Sequence, residues 1–190
     1  DYNPSARLPV SFPQHSGQQP YFYNHPRSGR PELPGMSEFK ARWREIPDAP
    51  LYAFGHGIGY TTFAYGVPRL SSPQMPWDGE LVVTTPVTNT GAVAGEEVVQ
   101  LYVHDRVASR VRPVRELKAF EKILLSPGEA KDVVFRLGRE QLAFTHADGV
   151  CSAEPGLFDL WVCASSASGE AVQFELLPPS RCATGVTGVG

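Results

Sequence analysis

Apolar residues recur at every second position through much of this chain. Leu81, Val83, Thr85 and Val87 form one such set, and Val99, Leu101 and Val103, then Val133, Phe135 and Leu137, then Phe158, Leu160 and Val162 form others. Successive strand side chains point to opposite faces, so each set lines one face of a β-strand. Further strands are predicted over 117–123, 142–145 and 172–176. Turn signals separate them: Asn89-Thr90-Gly91, Ser126-Pro127-Gly128-Glu129, Ala147-Asp148-Gly149 and Pro155-Gly156. Seven or so short strands with no long helical period predict an all-β, immunoglobulin-like sandwich of two sheets. Pro86 lies inside a strand pattern; having no N–H to donate, it is expected at an edge or a bulge.

The first fifty residues have a different texture, rich in Pro, Gly and polar aromatics. Leu8-Pro9-Val10-Ser11-Phe12 reads as a strand standing alone, which needs a sheet supplied by something else. Turns are expected at 21–26 and 29–31, and Phe39, Trp43 and Ile46 suit a short helical turn. Tyr21, Phe22, Tyr23, Trp43, Tyr52, Phe54, Tyr60, Phe63 and Tyr65 crowd the region before the sandwich. Flat rings with polar tips serve sugar contacts as well as interfaces; an extension without its own core is expected to bury them between domains. After Pro178 the pattern fades into a loose tail.

A net charge of −3 leaves no basic excess to neutralise a phosphate backbone, which excludes nucleic acid as the expected partner. No apolar run is long enough to span a membrane as a helix. The chain opens at Asp1 with no leader segment, and is expected to be a processed or dissected part of a longer precursor. Cys151, Cys163 and Cys182 match no zinc spacing; a Cys151–Cys163 bridge stays open, against the usual fate of a lone Cys as a small buried group.

Catalytic patterns are missing from the sequence. There is no Gly-x-Ser-x-Gly elbow, and Gly55-His56-Gly57-Ile58-Gly59 lacks the spacing of a dinucleotide loop, so it reads as a tight turn. No cofactor and no metal site are expected. His15, His25, His56, His104 and His146 are scattered, and Glu96, Glu97, Glu116, Glu129 and Asp132 lie on strands and turns without forming a glycosidase pair. Tyr23, His25 and His56 are retained as substrate-binding candidates because they sit in loops of the kind that present function. Arg106, Arg110, Arg112 and Arg115 are expected in a solvated or salt-bridging loop.

The segment Leu51-Tyr-Ala-Phe-Gly-His-Gly-Ile-Gly-Tyr-Thr-Thr-Phe63 resembles a signature of glycoside hydrolase family 3. Val87-Thr-Asn-Thr-Gly91, Gly95-Glu-Glu-Val-Val-Gln-Leu-Tyr-Val103, Arg112-Pro-Val-Arg-Glu-Leu-Lys-Ala-Phe-Glu-Lys122, Leu125-Ser-Pro-Gly-Glu129 and Glu154-Pro-Gly-Leu-Phe158 are similar to consecutive blocks of that family's fibronectin type III-like domain. Asn3 to Pro13 and Tyr23 to Pro31 resemble the end of its preceding α/β sandwich domain. Ala53 and Gly59 depart from the signature, where Pro and Ser are usual. The resemblance implies residues 1–30 as the end of the α/β domain, 31–59 as a linker, 60–177 as the fibronectin type III-like domain and 178–190 as tail. It also implies a periplasmic or secreted β-glucosidase whose catalytic Asp and Glu belong to a (β/α)8 barrel and the α/β sandwich domain, outside this chain, with a β-linked glucoside as substrate. On this reading the chain is inactive alone, and a homodimer stays open. The rival reading is a free-standing fibronectin-like carbohydrate-binding or adhesion module.

Overall fold

The structure is a computed structural model that describes residues 2–27 and 46–180; the helical turn expected at 39–46, the turn at 29–31, Cys182 and most of the tail fall largely or wholly outside these. Eleven strands are present among them: β1 (Phe63–Tyr65), β2 (Arg69–Leu70), β3 (Gln74–Met75), β4 (Glu80–Asn89), β5 (Gly95–Asp105), β6 (Glu116–Leu125), β7 (Ala130–Gly138), β8 (Phe144–Thr145), β9 (Cys151–Ser152), β10 (Gly156–Cys163) and β11 (Val172–Leu176). The helix α1 (Arg139–Leu142) is a single turn. One sheet centres on β4, flanked by β7 on one side and by β1 and β2 on the other; the second runs β3-β11-β10-β5-β6, and β8 pairs with β9 in a small hairpin.

The alternating sets meet between the two sheets. Leu81, Val83 and Val87 of β4 and Val133, Phe135 and Leu137 of β7 face Val99, Leu101 and Val103 of β5 and Phe158, Leu160 and Val162 of β10. Phe158 stacks on Phe174 of β11 at 5.2 Å between ring centroids. The Ser126–Glu129 turn joins β6 to β7, with Gly128 at positive φ and the Ser126 N–H held by the Glu129 carboxylate at 2.7 Å. The β8–β9 hairpin turns through Gly149, also at positive φ.

Three findings differ from expectation or complete it. Pro86 lies in the central strand β4, opposite Asp132 of β7. Its carbonyl accepts the Gly66 N–H at 2.8 Å, so its missing donor faces the break between β1 and β2, where no ladder bond is lost. The Leu8–Phe12 segment finds its partner backbone inside the chain: Leu8 N–H donates to His56 O at 2.9 Å, Gly55 N–H to Leu8 O at 2.8 Å and Phe12 N–H to Tyr52 O at 2.8 Å. One edge of the segment is thereby paired with the 51–56 loop. Cys151 and Cys163 are both free, one exposed and one buried.

Candidate functional site

The 2–12 arm and the 51–60 loop lie over one end of the second sheet, and named side chains fasten them there. Gly55 holds φ +79, and a Cβ there would meet the Gln100 amide oxygen at 2.1 Å. That close approach lets Gln100 donate to Gly55 O at 3.2 Å and to Ala164 O at 2.6 Å, while Tyr102 donates its hydroxyl to the Gln100 oxygen. Tyr23 stacks on Phe54 at 4.1 Å and meets Tyr102 edge-on. Arg7 pairs with the buried Glu97, which also accepts the Tyr65 hydroxyl at 2.6 Å. On the neighbouring outer face Glu96 receives Tyr2, Ser5 and Lys122.

These environments set opposite proton affinities on adjacent carboxylates. Hydrogen bonds from Lys122 and Tyr2 pull Glu96 down to about 2. Burial pushes Glu97 up, with Tyr65 and Arg7 working against it. Glu116 binds Arg112 at 2.6 Å, Asp132 binds Arg69 at 3.1 Å and Glu129 caps its turn, so all five carboxylates singled out in the sequence hold structural partners.

The three candidate residues fall in two places. Tyr23 and His25 line a cleft of about 200 Å³ with Ser11, Tyr21, Ala53 and Arg115. Arg115 enters it half-buried, stacked over Trp161 at 4.2 Å and donating to Ser168 O at 2.8 Å. His25 is exposed, its Nδ1 2.9 Å from Pro26 O. His56 belongs to a separate, open apolar groove of about 400 Å³ lined by Leu8, Phe12, Tyr52 and Ile58. Its ring stacks on Tyr52 at 5.0 Å, and its Nε2 is buried with no partner among the described residues.

The arm and loop expose a band of large apolar side chains: Phe12, Tyr52 and Ile58, the last 73% exposed, line the groove, and Val10 at 57%, Leu51 and Tyr60 at 73% are exposed on the same two segments. Isolated exposed apolar residues are ordinary, whereas a contiguous band marks a surface made to be covered.

One arrangement escaped the sequence reading. Ser152 Oγ lies 2.9 Å from His146 Nε2, and His146 Nδ1 lies 3.4 Å from Glu154. The order matches an acyl-transfer triad, but Nε2 also faces the Ser152 carbonyl at 3.1 Å, so the ring ties the β8–β9 hairpin together. The polar residues at 97 and 100 inside an apolar strand were the readable sign of buried polar anchoring at the arm; nothing in the sequence marked the His146 cluster.

Residues 97–166 match the model of the fibronectin type III-like domain. Over 178 residues the chain is 44% identical to the periplasmic β-glucosidase of Salmonella typhimurium, covering 93% of this chain and 23% of that protein. The chain is similar to a minor portion of β-glucosidases. A β-xylosidase of Formosa agariphila is 43% identical, with 87% of this chain and 22% of the relative covered. The crystal structure of Listeria innocua β-glucosidase in complex with gluconolactone superposes with a TM-score of 0.88 at 38% identity, over 94% of this chain and 25% of that one. The chain thus spans about a quarter of the length of these β-glucosidase and β-xylosidase relatives, and its fibronectin type III-like match runs from within β5 to just past β10.

Proposed function

We propose that this chain is the C-terminal accessory portion of a retaining, exo-acting β-glycosidase, a β-glucosidase that removes terminal non-reducing β-D-glucosyl residues in the periplasm or outside the cell. Its catalytic carboxylates lie in a (β/α)8 barrel and an α/β sandwich domain beyond these residues. Residues 1–30 complete the α/β domain, 31–59 connect, 60–177 form the fibronectin type III-like domain and 178–190 are tail. The observation that carries this reading is the exposed apolar band of Val10, Phe12, Leu51, Tyr52, Ile58 and Tyr60, in a chain a quarter as long as its relatives. A sandwich with a complete core has no need of such a band unless a neighbour covers it. Covering it fixes the position of that neighbour, and a displacement of about 1 Å in a catalytic group costs on the order of a hundredfold in rate.

The test is an aryl β-glucoside assay on the 190-residue chain and on the full-length protein. The chain alone is expected to release no phenol. In the full-length protein the pair Val10→Asp and Ile58→Asp is expected to lower activity by roughly tenfold or more, because charge is forced into a covered apolar surface. Val134→Asp, on the open face of the other sheet, is expected to leave it unchanged. Hydrolysis by the chain alone, or polysaccharide binding by the chain that Tyr52→Ala abolishes, would replace this reading with the free-standing module.

A further inference from the structure

Most arginines of the chain are either paired or in water. Arg7, Arg69, Arg106, Arg112, Arg136 and Arg139 each reach a carboxylate, and Arg27 and Arg110 are exposed. Arg115, expected in a solvated or salt-bridging loop, is half-buried and has no carboxylate within ion-pair reach among the described residues. Its guanidinium is held over Trp161 at 4.2 Å, and its Nη1 donates to Ser168 O at 2.8 Å. Its Nε and Nη2 have no hydrogen bond among the described residues, and unlike the Nε atoms of Arg7 and Arg112 they are not sealed from solvent. Burial lowers the proton affinity of Arg115, with Cys163 and Tyr102 working against it, so the cation sits where hydration is reduced and no anion of its own takes the place of water.

Arg115 walls the cleft of about 200 Å³ that Ser11, Tyr21, Tyr23, His25 and Ser166 also line, and no Asp or Glu lines it. Ser11 Oγ accepts the Phe54 N–H at 3.1 Å and keeps its own hydrogen to donate. The lining therefore offers donors around one permanent positive charge. We infer that this cleft is a binding site for a carboxylate group, gripped side-on by the Nε and Nη2 donors of Arg115 with the hydroxyls of Ser11 and Ser166 beside it. The planar fork of a guanidinium matches the two oxygens of a carboxylate. A phosphate dianion would bring a second charge that nothing permanent in the cleft neutralises, and burying an unpaired charge is costly. The volume is below the roughly 300–1,000 Å³ of ordinary small-molecule sites, so it suits a carboxyl group on a short tail, with the Tyr21 and Tyr23 rings as flat walls for that tail. The carboxylate comes either from a small free acid or from an Asp or Glu side chain of the polypeptide beyond these residues. The site stands apart from the apolar band, and the inference does not rest on the accessory role proposed above.

The probe is benzoate, with benzamide as its neutral counterpart and inorganic phosphate alongside, titrated into the full chain and followed by amide and indole shifts. Benzoate is expected to move the Trp161 indole N–H and the amides of 114–116 and 165–167 with a millimolar dissociation constant. Arg115→Lys keeps the charge but loses the fork, and is expected to weaken binding by roughly tenfold. Arg115→Met, and separately Ala167→Trp, which blocks the exposed rim and leaves Arg115 intact, are each expected to abolish the shifts while thermal unfolding stays cooperative. Saturation transfer to benzoate from the full-length protein then separates the two sources. Transfer that Ala167→Trp removes assigns the site to a free acid. Its absence, together with a larger loss of Tm from Arg115→Met in the full-length protein than in the chain, assigns the seat to an Asp or Glu side chain. The inference is overturned if no shift appears in the chain up to about a hundredfold above the millimolar range, if benzamide or phosphate binds as well as benzoate, if the shifts survive Arg115→Met or Ala167→Trp, or if the full-length protein shows neither transfer nor the larger loss of Tm.

Discussion

Gly55 and Gly128 share a positive φ, at +79 and +75, but their surroundings differ. A Cβ on Gly128 meets nothing within 4 Å, whereas one on Gly55 strikes the Gln100 side chain that fastens the arm loop to β5. Gly128→Ala is therefore expected to cost about 1 kcal/mol, the left-handed backbone penalty alone. Gly55→Ala adds displacement of Gln100 and is expected to cost about 3 kcal/mol. Urea midpoints for the two variants check the order. Glu97 supplies a pH signature at the same scale. Burial raises its native proton affinity above the ordinary 4.5. Between 4.5 and the raised value the native state keeps a proton that the unfolded chain has released, so stability falls as pH rises through that window and is fully present below it. Glu97→Gln is expected to flatten this decline. Urea midpoints taken from about pH 4 to about pH 8 decide it, and a decline of unchanged slope in the variant would assign it to another group such as Asp105, which burial also raises.

At the scale of elements, β10 and β11 are bound by the Phe158–Phe174 stack as well as by their ladder. Phe158→Ala is expected to destabilise by about 3–5 kcal/mol through lost burial and the cavity left behind, which calorimetry reads as a lower Tm. The long strands were legible because burial on one face writes itself as alternation: each residue assigned inward in β4, β5, β7 and β10 is buried. β1, β2 and β3 were not legible. Two or three residues carry no period, and these exist because β4 and β11 offer them edges. Two partners do not announce themselves in the pattern. Leu8–Phe12 bonds along one edge to the 51–56 loop, which has no strand pattern. Pro86, expected at an edge or a bulge, lies beside Gly66, whose Cβ would lie 2.5 Å from the Pro86 ring and which does not announce the gap it leaves. Of the site, the aromatics were legible as surface chemistry. The separation of His56 from Tyr23 and His25 depends on loop geometry that composition does not encode.

Across the whole molecule the two sheets are finished differently. The outer face of the first carries exposed ion pairs, Arg69 with Asp132 and Arg136 with Glu80, and needs no cover. The outer face of the second carries Gln100 and Tyr102, which the arm and its loop bury. The arm is a thin layer held by few groups, so it should open separately from the sandwich, at lower free energy. Tyr23, in the segment that follows the arm, is the main aromatic anchor of its loop, stacked on Phe54 and set against Tyr102. Tyr23→Ala removes both ring contacts, together with the hydroxyl that accepts the Leu117 N–H at 3.3 Å, without touching the core between the sheets. Amide hydrogen exchange is expected to speed by at least tenfold at Leu51, Gly55 and His56, whose N–H groups bond to Phe12, Leu8 and Ala53. Amides of the β4–β7 ladder are expected to keep their protection, because the rings that Tyr23 packs against, Phe54 and Tyr102, lie outside that sheet. Uniform acceleration in both regions would mean that the arm and the sandwich unfold as one cooperative unit, and that the apolar band is carried by the core itself.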